Sequence, residues 1–424
     1  MSTVTDRTVE PGRTRSKVPR TLLFVAGTMV LLAFVRAVTG ADDLTSAGTF
    51  SAALRLAVPI GLAALGGVFC ERTGVVNIGL EGMMILGTWF GAFGAVQYGP
   101  WWGVVLGILG GAVGGLVHAV ATITFNVDHV VSGVAINILG AGVARFLSVI
   151  AYTGDNAIVE GGGATQSPRA GNIANLDLPF LAGGWDTPDA LGRIASWRWF
   201  LVSDVAAALR ALTGNLSWLT VITFFLIGFS VWLLWHTALG LRMRSVGEHP
   251  SAAESLGVDV YRMKYLGVVI SGAFAGLAGA FLVLEAAGIY REGQTGGRGF
   301  IALAAVIFGN WHPVGAAGGA LLFGFADALQ LRNAEAVHAL LLFVAIAAGA
   351  GALYAFYRRK VVQAVALAVV SIGFGLWFVT SDTVPNQFVF FTPHLATLLV
   401  LAFATQRLRP PAADGLPYRK GQSG

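Results

Sequence analysis

The stretch FCERTGVVNIGLEGMMILG, residues 69–87, sets two glutamates and an arginine among residues that otherwise read as bilayer core. A charge at the centre of a membrane span costs about 2.5–3.5 kcal/mol on the insertion scale. Glu71, Arg72 and Glu81 therefore need a compensating reason, and the flanking sequence supplies the setting for it. On both sides the apolar residues run in blocks of about 20, the length that crosses a hydrocarbon layer of about 30 Å.

Such blocks recur along all 424 residues, of which 55% are hydrophobic and 12% charged. A soluble domain carries about a quarter charged residues. The runs are continuous, unlike the alternating strands of a β-barrel. The chain reads as an all-α polytopic membrane protein with about 10–12 transmembrane helices. Its net charge of +5 does not call for nucleic acid, because Lys and Arg cluster in short loops, as the positive-inside rule produces. The single cysteine, Cys70, excludes an intrachain disulfide and a multi-cysteine metal site. The seven histidines are scattered with no HExxH pair, so no metal is expected. No GxxxxGK[ST] motif is present, none of the four lysines follows a glycine, and no nucleophile cluster emerges. An integral-membrane enzyme is not indicated.

Residues 1–20 form a basic arm expected in the cytoplasm, ahead of a membrane region over 21–405. No small-residue cleavage site closes TLLFVAGTMVLLAFV, so it reads as a retained first span instead of a secretory signal. Spans are expected at 21–39, 50–70, 76–97, 101–124 and 130–151, followed by a polar extracytoplasmic loop over 152–214. A span at 217–236 returns the chain to a cytoplasmic loop over 240–264, where Arg242, Arg244, Arg262 and Lys264 agree with the parity. Next come a span at 265–287, the polar turn REGQTGGRG and the half-length apolar piece FIALAAVIFGN, residues 300–310. Spans at 314–330, 338–357, 361–380 and 388–405 precede the tail 406–424. Taking the half-length piece as a crossing keeps YRRK (357–360) and the basic tail inside. Short, glycine-broken segments of this kind line pathways near the midplane of transporters, and TGVVNIG (73–79) is its counterpart in the first half. Gly103, Gly107, Gly111 and Gly115 recur every four residues, as do Gly272, Gly276 and Ala280, which predicts close helix packing.

Within the 240–264 loop, HPSAAESLG reads as a short helix begun by Pro250 and stopped by Gly257, placed to dock into a partner's groove. Glu71 and Arg72 are expected to form an interfacial ion pair. Glu81 reads either as a pin that caps the broken backbone or as a solute contact. Asn137 and Asn310, taken as mid-span amides, either bridge helices or bind a polar solute. Asp327 and Arg332 are read as interfacial, and His118 and His312 as packing or interface residues.

Several stretches together resemble the permease subunits of nucleoside and simple-sugar ABC importers, within the superfamily that also serves ribose and branched-chain amino acids. They are GGVFCERTGVVNIGLEGMMILG, GEHPSAAESLGVDVYRMK with ISGAFAGLAGAFLVLE behind it, GRGFIALAAVIFGNWHPVGA and the closing AADGLPYRKG. The likeness covers roughly 50–330 and the tail. It implies a type II ABC importer-like permease fold of two related halves, in the cell inner or plasma membrane, with both termini cytoplasmic. It also implies a second related permease in a heterodimer, a cytoplasmic ATPase subunit that binds the ATP, and an extracytoplasmic solute-binding protein. No cofactor of the chain's own is implied. By the same match Gly247, Glu248, Ala252, Ala253, Glu254 and Gly257 fall in the ATPase-coupling motif and Asn77 and Glu81 along the translocation pathway, to which Asn137 and Asn310 are assigned as mid-span amides. Two departures stand out: His249 where relatives carry Asn, and a two-span insertion over 335–385. The expected function is uptake of a nucleoside or related sugar by alternating access. A permease for branched-chain amino acids or another sugar in the same superfamily and an ion-coupled carrier are the alternatives.

Overall fold

The computed structural model describes residues 20–155, 157–331, 334–385 and 408–421. The basic arm up to residue 19, Arg332 and the span expected at 388–405 lie outside the described residues.

Helix α1 (Arg20–Thr39) leads through a 3-10 turn (Asp42–Thr45) into α2 (Ala47–Glu71), followed by α3 (Leu80–Tyr98). Helix α4 (Pro100–Ala119) runs on as a π-helical turn over Val120–Thr124, and α5 (His129–Tyr152) follows. The segment expected as a plain polar loop holds strand β1 (Asn175–Leu176), helices α6 (Ala190–Ser196) and α7 (Val202–Ala211), and strand β2 (Leu216–Ser217), which pairs antiparallel with β1. Next come α8 (Trp218–His236), α9 (Ala238–Glu248), α10 (Pro250–Ser255) and α11 (Val260–Phe281), the last extended by a π turn over Leu282–Ala287. The chain continues with α12 (Arg298–Phe308), α13 (Pro313–Gln330), α14 (Ala334–Tyr357) and α15 (Val361–Thr380). Among the described residues seven helices are long and apolar enough to cross a membrane. Every expected span within the described residues corresponds to a helix, so the all-α polytopic architecture holds.

The helix starts follow from local chemistry. Ser46, Asp128, Ser217, Thr237 and Asp259 each accept a backbone N–H of the first turn they precede, the bond that satisfies an otherwise orphaned donor. Proline opens α4, α10 and α13, where its missing N–H is not needed.

Helix α2 is apolar on all sides and buried along nearly its whole length, so it forms the axis of the bundle. Beside it α3, α4 and α11 pack backbone to backbone. A Cβ added at Gly111 would lie 2.2 Å from the Gly272 carbonyl oxygen, and one at Gly276 would lie 2.2 Å from that of Gly107. Only glycine permits that approach, which replaces the hydrophobic drive that lipid withholds. Helices α14 and α15 form a hairpin at the periphery, with α14 against α1 through Leu32, Val35, Ala336 and Ala339.

The half-length piece runs back through the bundle. Lys264, at the start of α11, donates to the Gly74 carbonyl just past the end of α2. Trp311, just past α12, lies at that same end of α2 beside Arg72. The chain thus leaves this face along α11 and returns to it along the non-helical run 288–297 and α12. With 11 residues α12 spans about 16 Å, half of the bilayer core. The remaining height belongs to the run 288–297, which residues 165–170 hold by backbone bonds such as Ser167 N to Tyr290 O and Glu292 N to Thr165 O.

Candidate functional site

Between α2 and α3 the backbone of residues 72–79 is not an α-helix, and inside a bilayer each unpaired N–H and C=O costs several kcal/mol. The neighbouring helices supply the missing partners. Lys264 Nζ donates to Gly74 O at 3.1 Å, and His129 Nδ1 accepts the Val76 N–H at 3.2 Å. His118 Nε2 meets Val76 O at 3.1 Å while its Nδ1 meets the Ser132 hydroxyl at 2.8 Å. Asn137 works both sides of the break: its amide donates to Ile78 O at 3.1 Å, and its oxygen accepts the Gly82 N–H at 2.7 Å. Asn77 turns inward and donates to the Ser271 hydroxyl at 2.9 Å. Side chains from α4, α5 and α11 thus hold the backbone open.

Glu81 caps a helix, but not its own. Its Oε1 accepts the Gly297 N–H at 2.9 Å and its Oε2 the Gly299 N–H at 2.7 Å. Those amides open α12, whose N-cap glycine has no side chain to cap with. A carboxylate at a helix N-terminus is favoured by both the free amides and the helix dipole. The fit is close: a Cβ at Gly299 would stand 2.5 Å from Glu81 Cα.

The other end of α12 is held by Arg72. Its Nε donates to Trp311 O at 2.9 Å and its Nη2 to Asn310 O at 3.4 Å. The same guanidinium lies 5.5 Å from the Trp235 ring centre and 3.8 Å from Glu248 Oε1 at the end of α9. The expected Glu71–Arg72 pair is replaced by two separate contacts. Glu71 accepts the Trp311 indole N–H and lies against Asp414 of the tail, while Arg72 turns to Glu248. The reason is the C-terminus of α12, which inserts its carbonyls and indole between the two.

The 240–264 loop has two faces. Its inner face grips the membrane helices and the tail. A Cβ at Gly247 would meet Arg72 O at 2.3 Å, so the loop backbone rests directly on the break. Ala253 is buried with Val246, Val260 and Tyr418. Glu254 accepts the Tyr418 hydroxyl at 2.5 Å, and Glu248 accepts the Ala412 N–H at 3.2 Å. The outer face presents Ala252, the left-handed Gly257 and Leu256, which is 85% exposed. Sequence reading missed Leu256; an apolar residue at the tip of a charged loop was its only signal. The helix limits fall where Pro250 and Gly257 placed them, and His249 precedes α10 without a side-chain cap.

Asn310 is not mid-span. Because α12 is short, Asn310 lies beyond its end, where its Oδ1 accepts the Arg409 N–H of the tail at 2.8 Å. Glu81 lies at the start of α12 and Asn137 spends its amide on the break, whereas Asn77 bonds to Ser271 through its NH₂ and its Oδ1 is buried without a hydrogen-bond partner. His312 caps α13, and His118 is the packing residue expected of it. Asp327 lies 3.4 Å from Arg298. Two clefts, of about 280 and 230 Å³ counted with open solvent, lie at opposite ends of the bundle, and neither touches Asn77, Glu81 or Asn137. Among the described residues no cluster of metal-ligating side chains occurs.

Residues 49–348 match the family described as branched-chain amino acid transport system / permease component. The chain is 35% identical over 382 residues to the guanosine ABC transporter permease protein NupQ of Bacillus subtilis, covering 88% of this chain and 96% of that one. It is 30% identical over 374 residues to the nucleoside ABC transporter permease protein NupC of Lactococcus lactis, covering 86% and 94%. With the putative glucose ABC transporter permease protein TsgC13 of Haloferax volcanii it shares 34% identity over 289 residues, 68% of this chain and 78% of that one. No solved structure matches the chain. A bundle of apolar helices, a half-length helix clamped at both ends and a two-faced loop beneath it agree with that likeness: the chain belongs to the family of branched-chain amino acid transport system permease components.

Proposed function

We propose that the chain is the membrane permease subunit of an ATP-driven importer of nucleosides. The observation that carries this reading is the joint at Arg72, where the loop 240–264 meets the C-terminus of α12. The N-terminus, the loop and the tail face the cytoplasm. A partner ATPase seats on Ala252, Leu256 and Gly257, binds the ATP, and moves α9 and α10 as it closes. Gly247 rests on the backbone of Arg72 and Glu248 faces its guanidinium, so that movement reaches α12 from below. Glu81 holds the upper end of α12 as a pivot near the midplane, and tilting α12 about it alternately opens the route to either side. Such an equilibrium shifts only through differential affinity for its states, so the solute is held weakly in one orientation. Asn77 and Asn137 shape the route by holding the backbone open. The route itself runs along a second, related permease, and a binding protein delivers solute from outside.

Nucleosides are the proposed cargo because the relatives NupQ and NupC, matched along most of their length, carry guanosine and nucleoside in their names. The test is purification of the chain with its native partners, followed by ATP-dependent guanosine uptake in proteoliposomes with glucose and leucine as competitors. Guanosine uptake that needs ATP, resists both competitors and disappears in Leu256→Asp along with the bound ATPase supports the proposal. Uptake displaced by glucose or leucine reassigns the cargo. Solute movement by the chain alone, without ATP, overturns the importer reading.

A further inference from the structure

Residues 180–212, expected to be a polar loop, expose Phe180, Trp185, Trp197, Trp199 and Phe200, each at least half open. Helix α7 continues this surface. Val202, Val205 and Leu209 are exposed, with Leu212 just past the helix end. At 100° per residue these four fall within an arc of about 80°. The opposite face is made of small residues, Ala206, Ala207 and Ala211, buried in the bundle.

The apolar face points outward because a buried pin prevents the helix from rolling. Asp204 is 2% exposed, takes Arg36 Nε of α1 at 2.8 Å, accepts the Thr45 hydroxyl of the 3-10 turn, and accepts the Leu201 N–H at 3.0 Å. Turning α7 inward would take from Arg36, itself 8% exposed, its closest partner and leave it only Asp42 at 3.4 Å. The exposed face is therefore built into the fold.

We infer that this segment is an interfacial belt bedded in the phospholipid headgroup layer, at the membrane face opposite the loop 240–264. Three observations select lipid as the occupant. The belt is continuous with membrane helices, since α7 is pinned to α1 and is followed closely by Trp218, the exposed first residue of α8. Its tryptophans have the amphipathic ring that concentrates at membrane interfaces. Arg193 is exposed beside them, placed for a phosphate group as in surface-lying amphipathic helices, while Arg198, also exposed, pairs with Asp42 at 2.9 Å. The belt braces α1 and the outer end of α2 against the bilayer while the helices beneath them move.

The test is spin labelling at Val205→Cys and Leu209→Cys, with Glu160→Cys as an aqueous reference and the buried Cys70 left in place. The permease is held in nanodiscs of phosphatidylethanolamine and phosphatidylglycerol. Labels at 205 and 209 are expected to collide with oxygen in preference to an aqueous nickel complex, at a depth of about 5–10 Å below the phosphates. The label at 160 is expected to show the reverse. Nickel access at 205 and 209 overturns the inference. So does protection from both reagents with spin–spin broadening, which assigns the face to a second permease. Nickel access that is lost only on adding the extracytoplasmic binding protein overturns it in favour of that partner.

Discussion

Replacing Glu81 tests the clamp on α12 most directly. In the native chain its two carboxylate oxygens serve two buried amides, at 2.9 Å and 2.7 Å, on a helix of only 11 residues with no cap of its own. Glu81→Ala leaves both amides without an acceptor. An unsatisfied buried donor costs about 1–3 kcal/mol, and losing a carboxylate cap removes about 0.5–2 kcal/mol. These overlap, so a loss of about 3 kcal/mol is expected. Glu81→Gln keeps one acceptor and turns its NH₂ against the other amide, for about 1–2 kcal/mol.

If α12 pivots on this cap, the loss falls on the equilibrium between orientations as well as on stability. About 3 kcal/mol corresponds to a shift of roughly 150-fold, so initial uptake should fall by one to two decades in Glu81→Ala and several-fold in Glu81→Gln. The assay is ATP-dependent uptake per folded transporter, with the melting temperature of the purified complex measured alongside. Native uptake and an unchanged melting temperature in Glu81→Ala would refute the clamp. An ion-coupled carrier would give a different pattern, in which Glu81→Gln abolishes dependence on an ion gradient with no change in melting temperature.

Arg72→Gln should leave ATP hydrolysis near its native rate and cut the solute moved per ATP, with Arg72→Lys between the two, because one ammonium cannot reach Trp311, Asn310 and Glu248 together. Parallel hydrolysis and uptake assays check it. Gly111→Ala should lower the melting temperature sharply, since its Cβ meets the Gly272 carbonyl at 2.2 Å, whereas Gly142→Ala, with nothing within 4 Å, should not. Docking of the tail should depend on pH. Burial raises the Asp414 carboxyl from 3.8 to about 7 against the pull of Lys264, the hydrogen bond with Glu71, the Gly415 amide and Arg72. The docked tail then binds the proton more tightly than the free tail, so docking is strongest at low pH, weakens as pH rises toward about 7, and levels off above. Anisotropy of a fluorophore on Gly421→Cys should fall over that range, and Asp414→Asn should flatten the profile.

The spans were legible because apolar runs of 20 residues admit few other readings, and Pro250 and Gly257 mark α10 by chemistry that acts over a few residues. What lay hidden was long-range pairing. Glu81 reads as a cap in sequence, yet the helix it caps begins 216 residues later. No local pattern tells whether Ala253 or Leu256 faces out, because that depends on Tyr418 of the tail covering one of them. Asn310 was misplaced because the end of α12 is set by its contacts with Arg72 and the tail, not by composition. The outward face of α7 was present in the spacing of Val202, Val205 and Leu209 but was obscured by the polar residues around it.

The answer to the charges in residues 69–87 also bears on where the driving force enters. Asn137, His118 and His129 bond to the backbone of residues 76–82 and stabilise a break that lipid would otherwise forbid, and Glu81 holds the first amides of α12. A group so committed cannot release its proton or bind an ion without unmaking the backbone it supports. Arg72 differs, because one of its contacts, Glu248 at 3.8 Å, reaches out of the membrane onto a half-exposed side chain. Under the proposed function, small movements of α9 tighten or open that contact, and the 2.9 Å bond to Trp311 carries the displacement to α12. On that reading Glu81 is the fixed pivot and Arg72 the adjustable joint, and force applied at the loop 240–264 acts on the joint.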